Sequence, residues 1–103
     1  MNRITASKIA GAASFLVTAH ATEYRDYLAP PYRLAVDILG VLCNDKYYKS
    51  CEIAQQLMDT NSSYREKGLN ASTVCQVLQA LRKGSVALSS HRKQGWYLRK
   101  EQS

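Results

Sequence analysis

The chain has 103 residues, 46% of them apolar, and a formal net charge of +6. That length suits one domain burying roughly two-thirds of its unfolded surface, a core that needs neither metal nor disulfide support. No stretch reaches the ~20 consecutive apolar residues that span a bilayer, which excludes a membrane-spanning helix. The three cysteines, Cys43, Cys51 and Cys75, are odd in number and have no CxxC spacing, which argues against a disulfide scaffold and a four-ligand zinc site. Each falls on or near an apolar helical face. Buried, reduced thiols are therefore expected, with a thiol or metal sensor as the alternative.

The longest apolar region, residues 9–21, is interrupted by Gly11, Ser14, Thr18 and His20. It resembles a secretion signal only superficially. The preceding basic stretch holds just Arg3 and Lys8, and no cleavage site leads into a secreted scaffold. A cytoplasmic chain without a membrane partner is expected.

Thr5 or Ser7 can cap a first helix running to about residue 21. Ile9, Ala12, Ala13, Leu16, Val17 and His20 recur along it at helical spacing. Its small residues suit close packing, within the chain or across a dimer. Residues 22–29 are charged and aromatic, and Pro30-Pro31 then breaks the chain, Pro31 fitting the first turn of a new helix. That second helix, residues 32–43, carries Leu34, Val36, Ile38, Leu39, Val41 and Leu42 and is apolar almost all round, which makes it central.

Tyr47-Tyr48 reads as a single bridging strand. Ser50 is the expected N-cap of a third helix to residue 59, with Ile53, Ala54, Leu57 and Met58 inward. Residues 60–68 are polar and read as a long loop. Asn70 or Ser72 caps a fourth helix that ends near Lys83-Gly84, with Gly84 as the stop and cationic Arg82 and Lys83 in the last turn. Beyond it the period changes from 3.6 to 2. Val86 and Leu88 share one side of a strand, Trp96 and Leu98 one side of another, and residues 89–95 form a polar, basic hairpin loop. The tail after residue 98 is expected to fray. No repeat or low-complexity tract is present.

The charge is unevenly placed. Residues 67–100 hold Lys67, Arg82, Lys83, Arg92, Lys93, Arg99 and Lys100 and no carboxylate, whereas the remainder has seven cations against eight carboxylates. Such asymmetry points to an acidic polymer, nucleic acid before membrane, with a plain solvated basic face as the alternative. On the fourth helix, Val74, Val77, Leu78 and Leu81 fill one arc. Ser72, Gln76, Gln79 and Lys83 lie opposite, with Thr73 on the flank. A solvated face usually mixes Glu with Lys; this one has hydrogen-bonding groups, one cation and no carboxylate. Gln can pair with adenine through two bonds, and Ser or Thr with base or phosphate. At the hairpin, Ser90, His91, Arg92 and Lys93, with Ser89 and Gln94, offer groups that phosphates attract. Trp96 anchors the hairpin to the core in preference to stacking on a base, and Tyr97 points to the other side.

The order helix, short strand, helix, turn, helix, hairpin is that of a winged helix-turn-helix. The expected fold is α+β, mostly helical, a single domain over 1–103 with a winged-helix core at 31–100 and an extra N-terminal helix within 1–29. In that design one helix holds another in the major groove while the hairpin reaches the neighbouring backbone. The segments YRLAVDILGVL, CEIAQQL and STVCQVLQALRKGSVALSSHRKQGWYL resemble the winged-helix domain of bacterial repressors that include iron–sulfur-cluster and nitric-oxide-responsive regulators. The resemblance covers about two-thirds of the chain, and its most specific piece runs from the fourth helix to GWYL. It implies dimeric, palindrome-directed DNA binding, with Ser72, Thr73 and Gln76 near bases and Arg92 and Lys93 at the wing. Two departures stand out. That family usually carries a cysteine cluster after the wing and dimerises through a C-terminal helix; this chain ends before either. Cluster sensing is therefore not carried over, and residues 5–28 are the expected dimer contact.

Catalysis is not expected. His20 and His91 are the only histidines, one on an apolar helix and one at a basic tip, and there is no phosphate-binding Gly-rich loop or paired nucleophile and base. No cofactor and no metal ligand set is expected. The functional expectation is a sequence-specific double-stranded DNA-binding protein, a transcriptional repressor or autoregulator acting as a homodimer through residues 70–83 and a wing at 86–98. Two alternatives stay open: a plasmid or phage partition or replication component, and a winged-helix protein-interaction module.

Overall fold

In the computed structural model, which describes residues 3–99, helix α1 spans Arg3–Leu16 and the shorter α2 Ala19–Glu23. The single helix expected to residue 21 is thus broken, and Thr18 is the reason. Its hydroxyl donates to the Phe15 carbonyl at 2.6 Å and accepts from the Ala21 amide at 3.3 Å. One side chain so competes with the backbone ladder and caps the next helix. Val17, expected on the buried stripe, turns outward at the break and is 48% exposed. The expectations for Thr5 and His20 concern side chains outside the described residues, as do those for Lys100 and the tail at 100–103.

A 3-10 turn, Arg25–Tyr27, leads to α3 (Pro30–Leu42), whose first turn holds both prolines. Proline lacks an N–H, and the first turn has no partner for one, so both fit there. Leu34, Ala35, Val36, Ile38, Leu39, Val41 and Leu42 are all buried, which makes α3 the central helix its composition predicted. Helix α4 (Ser50–Thr60) begins one residue off expectation: Lys49 is the N-cap, and its amide donates to Glu52 Oε1 at 2.8 Å. Ser50 sits inside the first turn.

The long loop expected over residues 60–68 is instead a fifth helix, α5 (Ser62–Lys67). Asn61 starts it, its side chain accepting from the Ser63 amide at 3.0 Å, and Gly68 closes it. Tyr64 is its one packing contact of note, since it reaches Asp37 on α3. Six residues carry too little apolar periodicity to be read as a helix. Helix α6 (Ala71–Lys83) follows, capped by Asn70, and packs against α1, α3 and α4. Its Val74, Val77, Leu78 and Leu81 are wholly enclosed, each such side chain contributing about 1.5–3 kcal/mol relative to exposure.

Gly84 ends α6 as expected, but for a different reason. Its own φ is −82°, and the left-handed residue is Ser85, with φ 72°. A Cβ at Gly84 would lie 2.1 Å from the Ala10 carbonyl oxygen and 2.5 Å from Ala13 Cβ. What the site requires is close approach of α1, and the small-residue face of that helix is spent on this seam. Ile9, Ala13 and Leu16 then join Ile38, Leu42 and Leu78 in one core, so the N-terminal extension is part of the same packed unit.

The chain closes with a hairpin, β1 (Leu88–His91) antiparallel to β2 (Gly95–Leu98). Tyr48 adds the expected bridge: its amide donates to the Trp96 carbonyl at 2.9 Å, and the Trp96 amide donates back at 2.7 Å. The loop is shorter than expected. Ser89, Ser90 and His91 belong to β1, leaving only residues 92–94 as the turn. These polar residues have weak strand propensity alone; pairing with β2, whose Trp96 is buried, places them. The described residues thus form a mostly helical α+β domain with one two-stranded antiparallel sheet. No described helix is long and apolar enough to cross a membrane.

Candidate nucleic-acid interface

Because α6 buries Val74, Val77, Leu78 and Leu81, a period of 3.6 must turn Ser72, Gln76, Gln79 and Lys83 away from the core, and all four are exposed. Arg82, omitted from the expected set, is exposed beside Lys83. No carboxylate interrupts this face. Thr73 differs from its neighbours. It is half-buried, its amide bonds Asn70 Oδ1 at 2.9 Å, and its hydroxyl donates to the same oxygen at 3.2 Å. Its hydroxyl is thereby committed to the helix start. Gln79 leans toward Cys75 Sγ at 3.5 Å, a weak contact that leaves its amide oxygen free.

The hairpin presents Ser90, His91, Arg92 and Lys93, all exposed. His91 has a job that composition could not reveal. Its Nδ1 accepts from the backbone amides of Lys93 (3.2 Å) and Gln94 (3.3 Å), folding the three-residue turn over the ring. An acceptor nitrogen carries no proton, so the neutral ring bears its hydrogen on Nε2, the outward side. Arg92 and Lys93 are then held at the tip by a turn with its own internal bonds.

The cations of this region are unengaged. Among the described residues, ion pairs join Arg25 to Asp26 at 3.1 Å and to Asp37 at 2.5 Å, while Arg82, Lys83, Arg92, Lys93 and Arg99 pair with no carboxylate. A row of unpaired cations raises a positive potential that a polyanion lowers.

Around α3 a set of polar groups is used internally. Arg25 grips Asp37 with Nε at 2.6 Å and Nη2 at 2.5 Å, and Tyr64 donates its hydroxyl to the same carboxylate. The carboxylate holds the Arg25 guanidinium's pKa above its ordinary value. Burial, then the bond to Asp37, pushes the Tyr64 phenol up. This knot ties the 3-10 turn, α3 and α5 together. No periodicity linked residues 25, 37 and 64.

The sheet gathers a further group that no local pattern connected. Tyr47 stacks on Tyr97 with ring centroids 4.9 Å apart and meets His91 edge-on at 6.2 Å. The Tyr97 hydroxyl donates to Asp45 at 2.5 Å, and that bond raises the phenol's pKa. Trp96 is 7% exposed on the opposite, core-facing side, as its expected anchoring role requires.

The cysteines depart from expectation. Cys43 and Cys51 are exposed and Cys75 is half-buried; none is enclosed. Cys43 is the residue that ends α3, Cys51 lies in the first turn of α4, and Cys75 packs on the flank of α6's buried stripe. Among the described residues no three of His, Cys, Asp or Glu come together as a metal site would require. No known protein family, curated protein or solved structure matches this chain.

Proposed function

We propose that this chain is a winged helix-turn-helix protein that binds double-stranded DNA at specific sequences, as a dimeric transcriptional repressor or autoregulator. The observation that carries the reading is the outward face of α6: Ser72, Gln76, Gln79 and Lys83, exposed and without a carboxylate, with unpaired Arg82 beside it and unpaired Arg92 and Lys93 at the hairpin turn. Such a face admits a polyanion and has groups of the right chemistry for base edges. The order α3, Tyr48 bridge, α4, α6, hairpin supports the fold assignment, with α5 as an insertion between the two helices of the motif. In this reading α6 enters the major groove, Gln76 contacts bases, and Arg92 and Lys93 grip phosphates.

The dimer contact is placed on the N-terminal region, where Phe15, Val17, Tyr24 and Tyr27 are exposed, Tyr27 by 85%. Deleting that region would remove Ile9 and Leu16 from the core, so surface substitution is the better probe. Phe15→Ser with Tyr27→Ser should yield a folded monomer by sedimentation.

Selection of bound sequences from a random duplex pool tests the whole reading. A palindromic consensus is expected, with half-site spacing set by the dimer. Affinity for the selected site should fall steeply with salt, as several phosphates are neutralised. Gln76→Ala should cost about 1–3 kcal/mol of discrimination at one base position while leaving non-specific affinity intact. Absence of any duplex binding at low salt would sink the proposal.

A further inference from the structure

The outer face of the hairpin sheet carries a feature that groove binding does not use. The isolated Tyr48–Trp96 bridge lays residues 47–49 antiparallel against β2, so Tyr47 lies beside Tyr97 and Lys49 beside Gly95. Across β2, Tyr97 is paired with Ser89 and Gly95 with His91. Alternation along each strand then puts Tyr47, Tyr97, His91, Ser89 and Lys49 on one face and Trp96 and Leu88 on the other. The second face is core; the first is open.

This open face is an aromatic stack held in place. Tyr97 is fixed at its hydroxyl by Asp45, His91 is fixed at Nδ1 by the turn amides, and Tyr47 stacks on one and abuts the other. Gly95 keeps the strands tight. Its φ is 101°, and a Cβ there would stand 2.2 Å from the Tyr48 carbonyl oxygen. Tyr47 remains 40% exposed. Core packing does not require it there, because Trp96 already anchors the sheet from behind.

The surroundings are cationic. Lys46, Lys49, Arg92 and Lys93 are exposed and pair with no carboxylate among the described residues. Two carboxylates border the same face and keep their charge, Asp45 receiving the Tyr97 hydroxyl and Glu52 the Lys49 amide, so the four cations outnumber the acids two to one. Aromatic faces beside unpaired cations suit a strand whose bases are unstacked, because each base offers a π face and each phosphate a charge. A paired duplex offers only groove edges and backbone to such a surface.

We propose that this face binds single-stranded DNA, an unpaired base continuing the stack on Tyr47 while Lys49 and the turn cations hold its phosphates. The proposal rests on the duplex reading in taking DNA as the acidic polymer and shares the turn cations Arg92 and Lys93 with it; the aromatic face itself is separate from α6. It gives the protein a second mode, at melted or flanking single strands.

The test measures anisotropy of a fluorescein-labelled oligo-dT strand and of a blunt duplex of equal length, each titrated with the full chain. A third strand carries 2-aminopurine, whose emission falls on stacking. Tyr47→Leu keeps an apolar side chain against Tyr97 but removes the π face; Tyr47→Phe keeps both. Buried Trp96 reports that each variant is folded. Tyr47→Leu should lower oligo-dT affinity about ten-fold and abolish the 2-aminopurine quench, while Tyr47→Phe preserves both. Duplex affinity should change by less than about two-fold, since groove and phosphate contacts do not use the ring. Oligo-dT bound without duplex would overturn the proposed function and leave this inference standing. Duplex bound without oligo-dT, or unaltered oligo-dT binding by Tyr47→Leu, would overturn the inference alone. Binding of neither would overturn both.

Discussion

Arg25 and Arg92 have the same side chain and opposite circumstances. Arg25 is clasped by Asp37 through two guanidinium nitrogens, with Asp26 on the third, and the knot they form with Tyr64 joins three elements. Arg92 stands at an exposed turn, and no acid among the described residues is near enough to pair with it. The contrast extends to their regions. Arg33 likewise bonds the Leu28 and Asp26 carbonyls, so the charge of both arginines around the 3-10 turn is used in holding the fold. Among the described residues from 82 onward, no cation is ion-paired inside the molecule. A partly buried pair is costly to break because one charge is left alone, whereas an exposed unpaired cation contributes little to stability and stays available to an outside polyanion.

Four variants sharpen or break that comparison. Gly84→Ala strikes the seam between the two regions, where α1 backbone fills the space a Cβ needs. It should cost about 3 kcal/mol in urea unfolding. A near-neutral result would mean that α1 is not packed on α6 and that the regions are independent. Arg25→Ala should cost about 2 kcal/mol by the same measurement, since it strands a mostly buried carboxylate. If it proved neutral, Arg25 would belong with the free cations and the contrast would collapse.

Arg92→Ala combined with Lys93→Ala should behave in reverse. Stability should stay within about 0.5 kcal/mol, while affinity for every duplex falls and the log–log salt slope drops by about 2. An unchanged slope would remove the turn from the interface. The smallest effect is expected at Tyr64. Its phenol is pushed up in the fold, by burial and then by Asp37, so it favours the folded state while it stays protonated. That contribution is complete below the ordinary tyrosine value near 10 and is lost as pH rises toward the folded value. Tyr64→Phe should be less stable by about 1 kcal/mol at neutral pH and should lose less on alkaline titration, read by denaturation midpoints at successive pH values.

The sequence by itself determined the helices that carry enough apolar periodicity to declare themselves. Ile38 and Leu42 mark α3, Ile53 and Leu57 mark α4, and Val77 and Leu81 mark α6, because burial of a repeating stripe is a local property. It also determined the change of period at the hairpin, the Tyr48 bridge, the inward role of Trp96 and the location of the basic excess. Only the tertiary structure decided the rest, and in every case but Thr18 the deciding partner is distant in sequence. Thr18 breaks the first helix within four residues of itself, yet nothing in composition says whether its hydroxyl will face the backbone. Helix α5 exists beside Asp37, 27 residues before its Tyr64. Gly84 is required by Ala10, Tyr97 is oriented by Asp45, and the stack of Tyr47 on Tyr97 needs the bridge between Tyr48 and Trp96. Stripes are written along the chain, but knots, seams and stacks form where two distant stretches meet, and their energies belong to the meeting.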